Sequence, residues 1–368
     1  MDLRNGLVDM YITPDHTGVP GTVIDYSPAS LGRYIGSPSI AIAANGDYFA
    51  SHDFFGPGTD NNEMAVFKSE DSGATWEKIS TIFGQWWSTI FFHEEDLYLL
   101  GTSREFGSPV IRRSIDGGVN WSTPQDSKSG LLSPEDKYHC APVPVMSHDG
   151  YLWRAFELAY GPRDDWLVQV LSVPHGSDIL NSNNWRFSIP LRHSGQASEW
   201  IEGNIVVAPT GELKNILRRN LIGVSPELFK LESDKAIMVN IDYEGKSLTH
   251  NIETDILNFP GGGVKFTIRY DEQSAMYWAL VCKQKNPDAY RNNLVMVSSK
   301  NLINWEVKQP ILHHHDMNTH AFQYVDWQFE GADIVFVSRT SFEDGLGGAH
   351  DAHDANYMTF HRVLDFRG

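Results

Sequence analysis

Two stretches in the first third of the 368-residue chain share one pattern: "VFKSEDSGATWEKIS" at residues 66–80 and "IRRSIDGGVNWSTP" at residues 111–124. They align as S-x-D-x-G-x-[TN]-W, and their serines lie 45 residues apart. An internal repeat near this period is typical of propeller blades or solenoid turns. We expect the aspartates to accept bonds from turn N–H groups, the glycines to adopt positive φ, and the tryptophans to pack between sheets.

Repeated hairpins support the same architecture. Two weaker copies of the motif keep the closing tryptophan, at residues 172–188 and 298–307. Short turns between alternating apolar strands predict six hairpins, at residues 40–51, 89–101, 143–156, 205–218, 268–281 and 325–338. One hairpin per blade gives a single all-β β-propeller domain over residues 1–368, with six countable blades. We expect residues 1–35 and a trailing strand near 356–366 to close the ring and leave no sheet edge unpaired.

Composition and charge exclude several other classes of protein. Aromatic residues make up 12% of the chain, and 31 glycines and 18 prolines recur along it. No run approaches the roughly 18–20 apolar residues that cross a bilayer, and the first residues lack the pattern of a signal peptide. The net charge of −18 disfavours nucleic-acid binding, which needs a basic surface. We expect no membrane or nucleic-acid partner, and a periplasmic or secreted location if a signal peptide has been removed.

The central funnel of the propeller is the expected place of the chemistry, because polar residues at the starts of the inner strands converge there. Candidates for substrate binding or catalysis at these starts are His139, Glu202, Lys265 and His320, with Asn204, Arg269 and Gln323 beside them. Arg154, Arg219 and Arg339 lie at the far ends of the following strands. Such cationic and imidazole groups can hold a carboxylate bidentately and supply an acid or base near neutral pH. The alternative for any one arginine is an ordinary surface ion pair.

The segment "GGAHDAHDANYMTFHR" at residues 347–362 concentrates polar residues near the C-terminus. Its glycines permit sharp turns, and His350, His353 and Asn356 precede a β-like run, so we expect a long loop over the same funnel. A zinc site would need three or four His or Cys ligands, and nothing close in sequence completes that set. We therefore expect no resident transition metal and no required cofactor. An oxygen-lined Ca²⁺ site in the central channel is left open.

His52 stands apart from the other histidines. It lies at the end of the first hairpin, beside Asp53 and before a glycine-rich loop, in "FASHDFFGPGTDNN" at residues 49–62. The strand order allows this end to open on the face opposite His139. A lone histidine of this kind is more often structural than catalytic.

The chain resembles the Asp-box propellers of the sialidase-like superfamily, on the motif above and on fragments such as "GRYIGSPSIAI", "ASHDFFGP", "KFTIRYDE", "HAFQYVDW" and "GGAHDAHDAN". Within that superfamily it resembles the branch of α-L-rhamnosidases and rhamnose-α-1,4-glucuronate lyases that act on arabinogalactan. The similarity runs from about residue 20 to the end of the chain. It implies seven blades, one more than the hairpins predict.

The resemblance also implies an activity and a catalytic group. It predicts a glycoside hydrolase that releases terminal L-rhamnose linked α-1,4 to glucuronic acid on an acidic plant-type glycan, with His52 as the catalytic group. No pair of carboxylates suited to an ordinary glycosidase is evident in the sequence, and a histidine mechanism would explain that. The runner-up is β-elimination at the glucuronate from the funnel face, where candidate groups are His139, Arg219, Lys265, His350 and His353.

Two further alternatives remain at the level of sequence. True sialidases carry an arginine motif where this chain has "RYIGSP" (residues 33–38), which makes a sialidase a weaker interpretation. A non-catalytic glycan-binding propeller would use aromatic platforms such as Trp86, Trp87 and Trp166. We expect hydrolysis ahead of elimination, and both ahead of binding alone.

Overall fold

Six antiparallel sheets arranged as propeller blades make up the computed structural model, which describes residues 13–193, 198–283 and 291–368. Each of the six predicted hairpins supplies the first two main strands of one blade. The prediction of an all-β, six-bladed propeller is confirmed. The seventh blade implied by the resemblance is wrong for the part of the chain described, since its strands are all accounted for by six sheets.

The blades follow one another along the chain, except for the first strand, β1 (Thr22–Tyr26). Blade I contains β2 (Tyr34–Ile35), β3 (Ser39–Ile42), β4 (Tyr48–Phe55), β5 (Glu63–Ser69) and β6 (Glu77–Phe83). Blade II contains β7 (Trp86–His93), β8 (Asp96–Thr102) and β9 (Pro109–Ser114). Blade III contains β10 (Tyr138–His139), β11 (Met146–His148), β12 (Tyr151–Leu158), β13 (Leu167–Pro174), β14 (Arg186–Phe187) and β15 (Leu191–Arg192).

The second half of the chain forms the other three blades. Blade IV contains β16 (Ser198–Val207), β17 (Leu213–Leu221), β18 (Lys235–Ile241), β19 (Leu248–Thr249) and β20 (Ile256–Asn258). Blade V contains β21 (Thr267–Asp271), β22 (Met276–Cys282), β23 (Asn293–Ser299) and β24 (Trp305–His313). Blade VI contains β25 (Ala321–Glu330), β26 (Asp333–Ser341) and β27 (Tyr357–Val363).

In the part of the chain that the structure describes, helical structure is confined to short segments. These are the α-helix α1 (Pro226–Glu232) and the 3₁₀ turns Ala29–Leu31, Arg163–Asp165 and Ser182–Asn184. No helix in the described residues has the length and apolar character needed to span a membrane.

The two ends of the described chain meet in blade VI. Strand β1 pairs antiparallel with β27, with Thr22 opposite Phe360 and Tyr26 opposite Tyr357. The outermost strand of the last blade therefore comes from the beginning of the chain, which ties the ring shut by backbone hydrogen bonds. Residues 1–12, part of the segment predicted to close the ring, lie outside the described residues.

The repeated motif forms the turn after the third strand of a blade. In the first copy Asp71 Oδ1 accepts from the backbone N–H of Thr75 at 2.8 Å, and the backbone N–H of Gly73 donates to Ser69 Oγ at 2.9 Å. The indole of Trp76 closes the turn on the Gly73 carbonyl at 3.2 Å. The second copy repeats these contacts, so the motif is a structural device of the turn.

Polar side chains on the inner strands join each blade to the next. Inner strands at the hub carry backbone groups without a sheet partner, and buried groups of this kind must find one. Asn204 Oδ1 accepts from the backbone N–H of Ile268 at 2.9 Å, and Lys265 Nζ donates to the Val325 carbonyl at 2.8 Å. Buried polar residues of the hub therefore act as links between blades IV, V and VI.

The link between blades VI and I extends to a third blade. Asp326 Oδ2 accepts from Ser39 Oγ at 2.8 Å and from the backbone N–H of Ile40 at 3.0 Å. Ser39 Oγ in turn accepts from the backbone N–H of Ile90 in blade II at 3.1 Å. One carboxylate and one hydroxyl thus connect three blades.

Replacing Gly73 by Ala should destabilise the protein more than replacing Gly117 by Ala. Both glycines have positive φ, 88° and 71°, so each substitution incurs a backbone penalty of about 1 kcal/mol. A Cβ on Gly73 would also overlap the Phe360 ring, whereas Gly117 has open space around it. The clash should add about 1–3 kcal/mol to the loss for Gly73→Ala, measurable by chemical denaturation.

Gly117 is a matched control, because Ser72 occupies the equivalent position of the first motif copy with φ of 59°. Equal losses of stability for the two variants would show that packing of the turn on blade VI does not matter.

Candidate active site

A cavity of about 510 Å³ opens at one end of the hub, and all six blades contribute to its wall. Its charged and imidazole lining groups are Asp53, Glu105, His139, Arg163, Glu199, Glu202, Arg218, Arg291, Arg339 and His353. Aromatic lining residues are Phe55, Trp86, Trp87, Phe106, Trp166, Phe229 and Tyr324. A cavity of this size, with both charged and aromatic lining groups, suits a small-molecule ligand.

Three of these side chains are aimed into the cavity by the same backbone device. Trp87, Glu202 and Tyr324 have left-handed φ values of 47°, 59° and 54°. Each lies at a register irregularity of the innermost strand of its blade, in β7, β16 and β25. A bulge re-aims a side chain out of the normal alternation, and strained residues of this kind cluster at functional sites.

Tyr324, Glu202 and Arg218 form a hydrogen-bonded trio. Arg218 Nη1 lies 3.1 Å from Glu202 Oε2 and 3.3 Å from the Tyr324 hydroxyl. Burial opposes ionisation of Glu202, but Arg218, His139 and a hydrogen bond from Tyr324 outweigh it and lower the pKa of the carboxyl. Glu202 is therefore an ionised acceptor beside the phenol.

Two more arginines surround the Tyr324 ring. The guanidinium carbons of Arg291 and Arg339 lie 5.7 and 4.9 Å from its centroid. Arg339 Nε donates to the His353 carbonyl at 3.0 Å, and Arg291 bonds the side chain of Gln323. Burial, followed by the charge of Glu202, raises the pKa of Tyr324, while all three arginines oppose that rise. Three cations thus converge on one tyrosine at the cavity wall.

Asp53 supplies a buried acid on the blade I side of the cavity. Its Oδ1 accepts from the backbone N–H of Ser37 at 2.8 Å, and its Oδ2 accepts from that of Trp87 at 2.7 Å. Complete burial raises its pKa to about 6, against the lowering effect of these two bonds. A carboxyl poised near 6 can both donate and accept a proton at physiological pH.

His139 is oriented by a second buried carboxylate. Its Nδ1 lies 2.8 Å from Glu157 Oε2, and Glu157 is fully buried. The imidazole packs against Trp87 and Trp166, with ring centroids 4.5 and 5.3 Å away. The bond through Nδ1 leaves Nε2 as the free ring nitrogen of a residue that lines the cavity.

The structure brings His139, Glu202 and His353 of the predicted site residues into the cavity, together with Arg339. It places Arg219 elsewhere, where it pairs with Glu232 at 2.6 Å. Neighbouring residues of a strand point to opposite faces, so Arg218 occupies the place expected for Arg219.

Other predicted site residues have structural partners outside the cavity lining. Arg154 is fully buried and donates to the Ala141 carbonyl, and Asn356 bonds the backbone of Phe342. Lys265 links two blades, as described above, and burial lowers its pKa to about 8. His320 stacks on His314 with ring centroids 3.7 Å apart and bonds Asp316.

His52 is fully buried, and both ring nitrogens have partners. Nε2 lies 2.9 Å from Asp25 Oδ2 and Nδ1 lies 2.9 Å from the Asp53 carbonyl. The end of strand β4 that carries His52 lies at the hub cavity and not at the opposite face, because the adjacent Asp53 lines that cavity. The catalytic role of His52 stays a prediction, and its packing offers a sugar no direct contact in this conformation.

The C-terminal loop carries a cluster with metal-ligand chemistry. His350, Asp351 and Asp354 each place one ligand atom within 4.8 Å of the others, the one such group of three found in the described residues. His350 is exposed and stacks on Tyr34, with its Nδ1 3.1 Å from Asp354 Oδ2. His350 Nδ1 also lies 3.4 Å from Asp351 Oδ2, and Ca²⁺ in the channel stays a prediction.

Four of the cavity residues whose contacts are described above were missed at the level of sequence: Asp53, Arg218, Arg291 and Tyr324. Two of them neighbour predicted residues, because Asp53 follows His52 and Arg218 precedes Arg219. Tyr324 follows Gln323 within a predicted inner strand. The alternation of side chains along a regular strand would predict where Tyr324 points, but the bulge at this position interrupts that alternation.

Comparisons with known proteins support the fold. No protein-family model and no curated protein matches the sequence. Among solved structures, a Penicillium chrysogenum α-L-arabinanase complexed with arabinobiose matches with a TM-score of 0.57 and 14% identity, over 94% of this chain and 98% of that one. The microbial sialidase Hz136 (Hadza) matches with a TM-score of 0.63 and 11% identity, over 94% and 68%.

A Trypanosoma rangeli sialidase in complex with sialic acid is similar as well. Its TM-score is 0.62 at 14% identity, over 93% of this chain and 57% of the longer sialidase chain. At these identities the similarity establishes the β-propeller fold alone.

The stability of Asp53→Asn relative to the wild type should change between pH 4 and pH 7. The folded-state pKa near 6 lies above the ordinary value of 3.8, so the folded protein binds this proton more tightly. The stability that the folded protein gains from binding this proton is fully present below pH 4. It is lost as pH rises through 6, and the total loss is about 3 kcal/mol. Free energies of unfolding measured across this range test the shift.

Asp71→Asn provides the opposite control. Hydrogen bonds from Thr75 lower the pKa of Asp71 to about 2. The stability difference between Asp71→Asn and the wild type should therefore vary with pH only below pH 4. Parallel profiles for wild type and Asp53→Asn from pH 4 to 7 would contradict the raised pKa.

Proposed function

We propose that this protein is a glycoside hydrolase that removes a terminal sugar bearing a carboxylate from a glycan. The observation that carries the proposal is the convergence of Arg218, Arg291 and Arg339 on Tyr324, which itself bonds the ionised Glu202. Arginines bind carboxylates with charge-assisted hydrogen bonds, and a phenol activated by an adjacent base is a nucleophile.

A tyrosine suits this substrate better than a carboxylate nucleophile would. An ionised Asp or Glu at the attacking position would repel the carboxylate held by the arginines, whereas the phenol is neutral until it reacts. Tyr324 passes its proton to Glu202 as its oxygen bonds the anomeric carbon. The arginines stabilise the negative charge on the phenol oxygen during that step.

Asp53 completes the reaction as acid and base. As the glycosidic C–O bond breaks, its carboxyl donates a proton to the leaving oxygen. It then removes a proton from the water that cleaves the tyrosyl intermediate, and Glu202 returns its proton to Tyr324. Two successive displacements retain the anomeric configuration.

The solved structures are compatible with this assignment. A sialidase bound to sialic acid and an arabinanase bound to arabinobiose share the fold, so the architecture supports hydrolysis of glycosides with or without a carboxylate. The arginines favour the anionic class for this chain. The expected glycan would place the enzyme in the periplasm or outside the cell.

Rhamnose linked α-1,4 to glucuronate is the specific acidic substrate that the sequence favours, and it would bind differently. The carboxylate then belongs to the sugar after rhamnose, so the arginines would hold the leaving portion. His139 oriented by Glu157 supports β-elimination as the second candidate. The imidazole would take the C5 proton, the C4–O4 bond would break, and the leaving rhamnose would gain a proton.

A product screen on gum arabic, sialylated glycans and aryl glucuronides separates these activities. Hydrolysis of a carboxylated terminal sugar releases that sugar intact, without forming a 4,5-unsaturated uronate. Elimination releases rhamnose together with an absorbing 4,5-unsaturated uronate, and rhamnosidase activity releases rhamnose alone. Glycan binding without any product would refute an enzymatic function.

Tyr324→Phe and Glu202→Gln should each lower kcat by about a thousandfold or more on the substrate found, with little change in KM. His52→Ala is the comparison, since its ring lies outside the cavity lining. A greater loss for His52→Ala than for Tyr324→Phe would instead support the histidine mechanism.

Arg218→Lys should lower kcat/KM about 10- to 100-fold on the carboxylated substrate, because lysine keeps the charge and loses the bidentate geometry. Arg219→Lys alters the adjacent residue, which points away from the cavity, and should change kcat/KM less than about twofold. Steady-state kinetics on the substrate and on its carboxyl amide test this. Equal losses on both compounds would argue against carboxylate recognition.

A further inference from the structure

Glu199 is a buried carboxylate of the hub cavity that the proposed hydrolysis does not use. It lies near the start of strand β16, lines the cavity, and is only 1% exposed. Asn220 lies directly opposite in strand β17, and its Nδ2 donates to Glu199 Oε2. The cavity wall therefore carries a second carboxylate on the same strand as Glu202.

The other oxygen of Glu199, Oε1, has no hydrogen bond to any residue that the structure describes. Arg163 Nε lies 3.2 Å from it as an ion pair, without the geometry of a hydrogen bond. The Arg163 side chain is 66% exposed and comes from a short 3₁₀ turn of blade III, and ion pairs with so exposed a partner are weak. Buried carboxylate oxygens normally accept hydrogen bonds, so Oε1 is an acceptor for a ligand once Arg163 moves aside.

Asn220 connects Glu199 to an arginine of the cavity wall. Its Oδ1 accepts from Arg218 Nη2 at 3.0 Å. All three side chains lie on one face of the strand pair, because Glu199 is opposite Asn220, and Arg218 is opposite Ile201, two residues along β16 from Glu199. Two hydrogen bonds of about 3 Å across one amide keep the carboxylate and the guanidinium within roughly 8 Å, so one sugar with its substituents can contact both.

We propose that Glu199 determines specificity by accepting hydrogen bonds from hydroxyl groups of the same sugar whose carboxylate the arginines bind. Hydroxyl groups form charge-assisted bonds to a carboxylate, whereas a second anionic group at this position would be repelled. A site built to bond a hydroxyl group rejects an analogue without it, because the polar group of the protein is then left unpaired. The substrate class is a polyhydroxylated sugar with a single carboxylate. This inference rests on the proposed function for the binding of that carboxylate.

Dissociation constants of the full chain and of Glu199→Gln for two kinds of ligand, measured by NMR titration, test the assignment. Methyl glucuronide and N-acetylneuraminate carry hydroxyl groups, and tetrahydropyran-2-carboxylate has the carboxylated ring without them. Glu199→Gln should weaken binding of the tighter of the two sugars about 10- to 100-fold, the range for one hydrogen bond to a charged group. It should strengthen binding of tetrahydropyran-2-carboxylate, because the variant removes a negative charge near Arg218.

The opposite responses separate recognition of hydroxyl groups from two other roles of Glu199. If its charge acts only on Arg218, both kinds of ligand should bind the variant more tightly. If it only holds Asn220 and Arg218 in place, both should bind more weakly. Either parallel result overturns the proposal, as does a wild type that binds neither sugar.

Two further variants serve as comparisons. Glu212→Gln alters an exposed residue of the turn between β16 and β17, at the other end of the same strands, and should leave both dissociation constants unchanged. Arg163→Ala removes the partner of Oε1 and should weaken sugar binding less than Glu199→Gln does. Equal losses for Arg163→Ala and Glu199→Gln would show that the ion pair is what matters and would overturn the proposal.

Hydrolysis assays on the same proteins keep this inference apart from the proposed function. Opposite binding responses without hydrolysis of any carboxylated glycoside would refute the hydrolase and leave recognition by Glu199 in place. Hydrolysis accompanied by parallel binding responses would overturn the role of Glu199 and leave the hydrolase in place.

Discussion

Hydrogen bonds from polar side chains of one blade to the inner-strand backbone of the next hold the hub together. The strands nearest the axis have one edge with no sheet partner, and leaving its N–H and C=O groups buried and unpaired would be costly. Asp326, Ser39, Asn204 and Lys265 satisfy these groups across blade boundaries. Together with the pairing of β1 and β27, they fix the relative positions of six sheets that share no continuous hydrogen-bond ladder.

Because the hub is held rigidly, residues with strained backbone conformations can be maintained in the wall of its cavity. Left-handed backbone at a bulky residue costs of order 1–3 kcal/mol and persists only where the surroundings impose it. Trp87, Glu202 and Tyr324 each adopt it at the bulge of an inner strand. The bulges turn an indole, a carboxylate and a phenol toward one cavity, so the candidate site depends on the same inner strands that join the blades.

Sequence patterns predict the blades well and the site only in part. The turn motif and the six hairpins depend on local chemistry, so residues such as Gly73 and Trp76 could be read directly. Whether a buried polar residue faces the cavity or a neighbouring blade depends on contacts between distant strands. The sequence therefore predicts Lys265 and Arg154 as binding residues, whereas the structure gives them partners outside the cavity lining. Arg218 lines the cavity and the predicted Arg219 does not, because adjacent strand positions face opposite ways.

The charge of the whole chain gives little guide to the ligand of its cavity. The protein carries 47 acidic and 29 basic residues, yet three arginines converge on Tyr324. Salt screens exposed charges beyond about 8–10 Å, whereas buried groups interact in a medium of lower dielectric constant. A ligand group at the cavity wall therefore responds mainly to the buried charges beside it, which include Arg218, Arg291 and Arg339. Glu202 offsets part of that charge through its ion pair with Arg218.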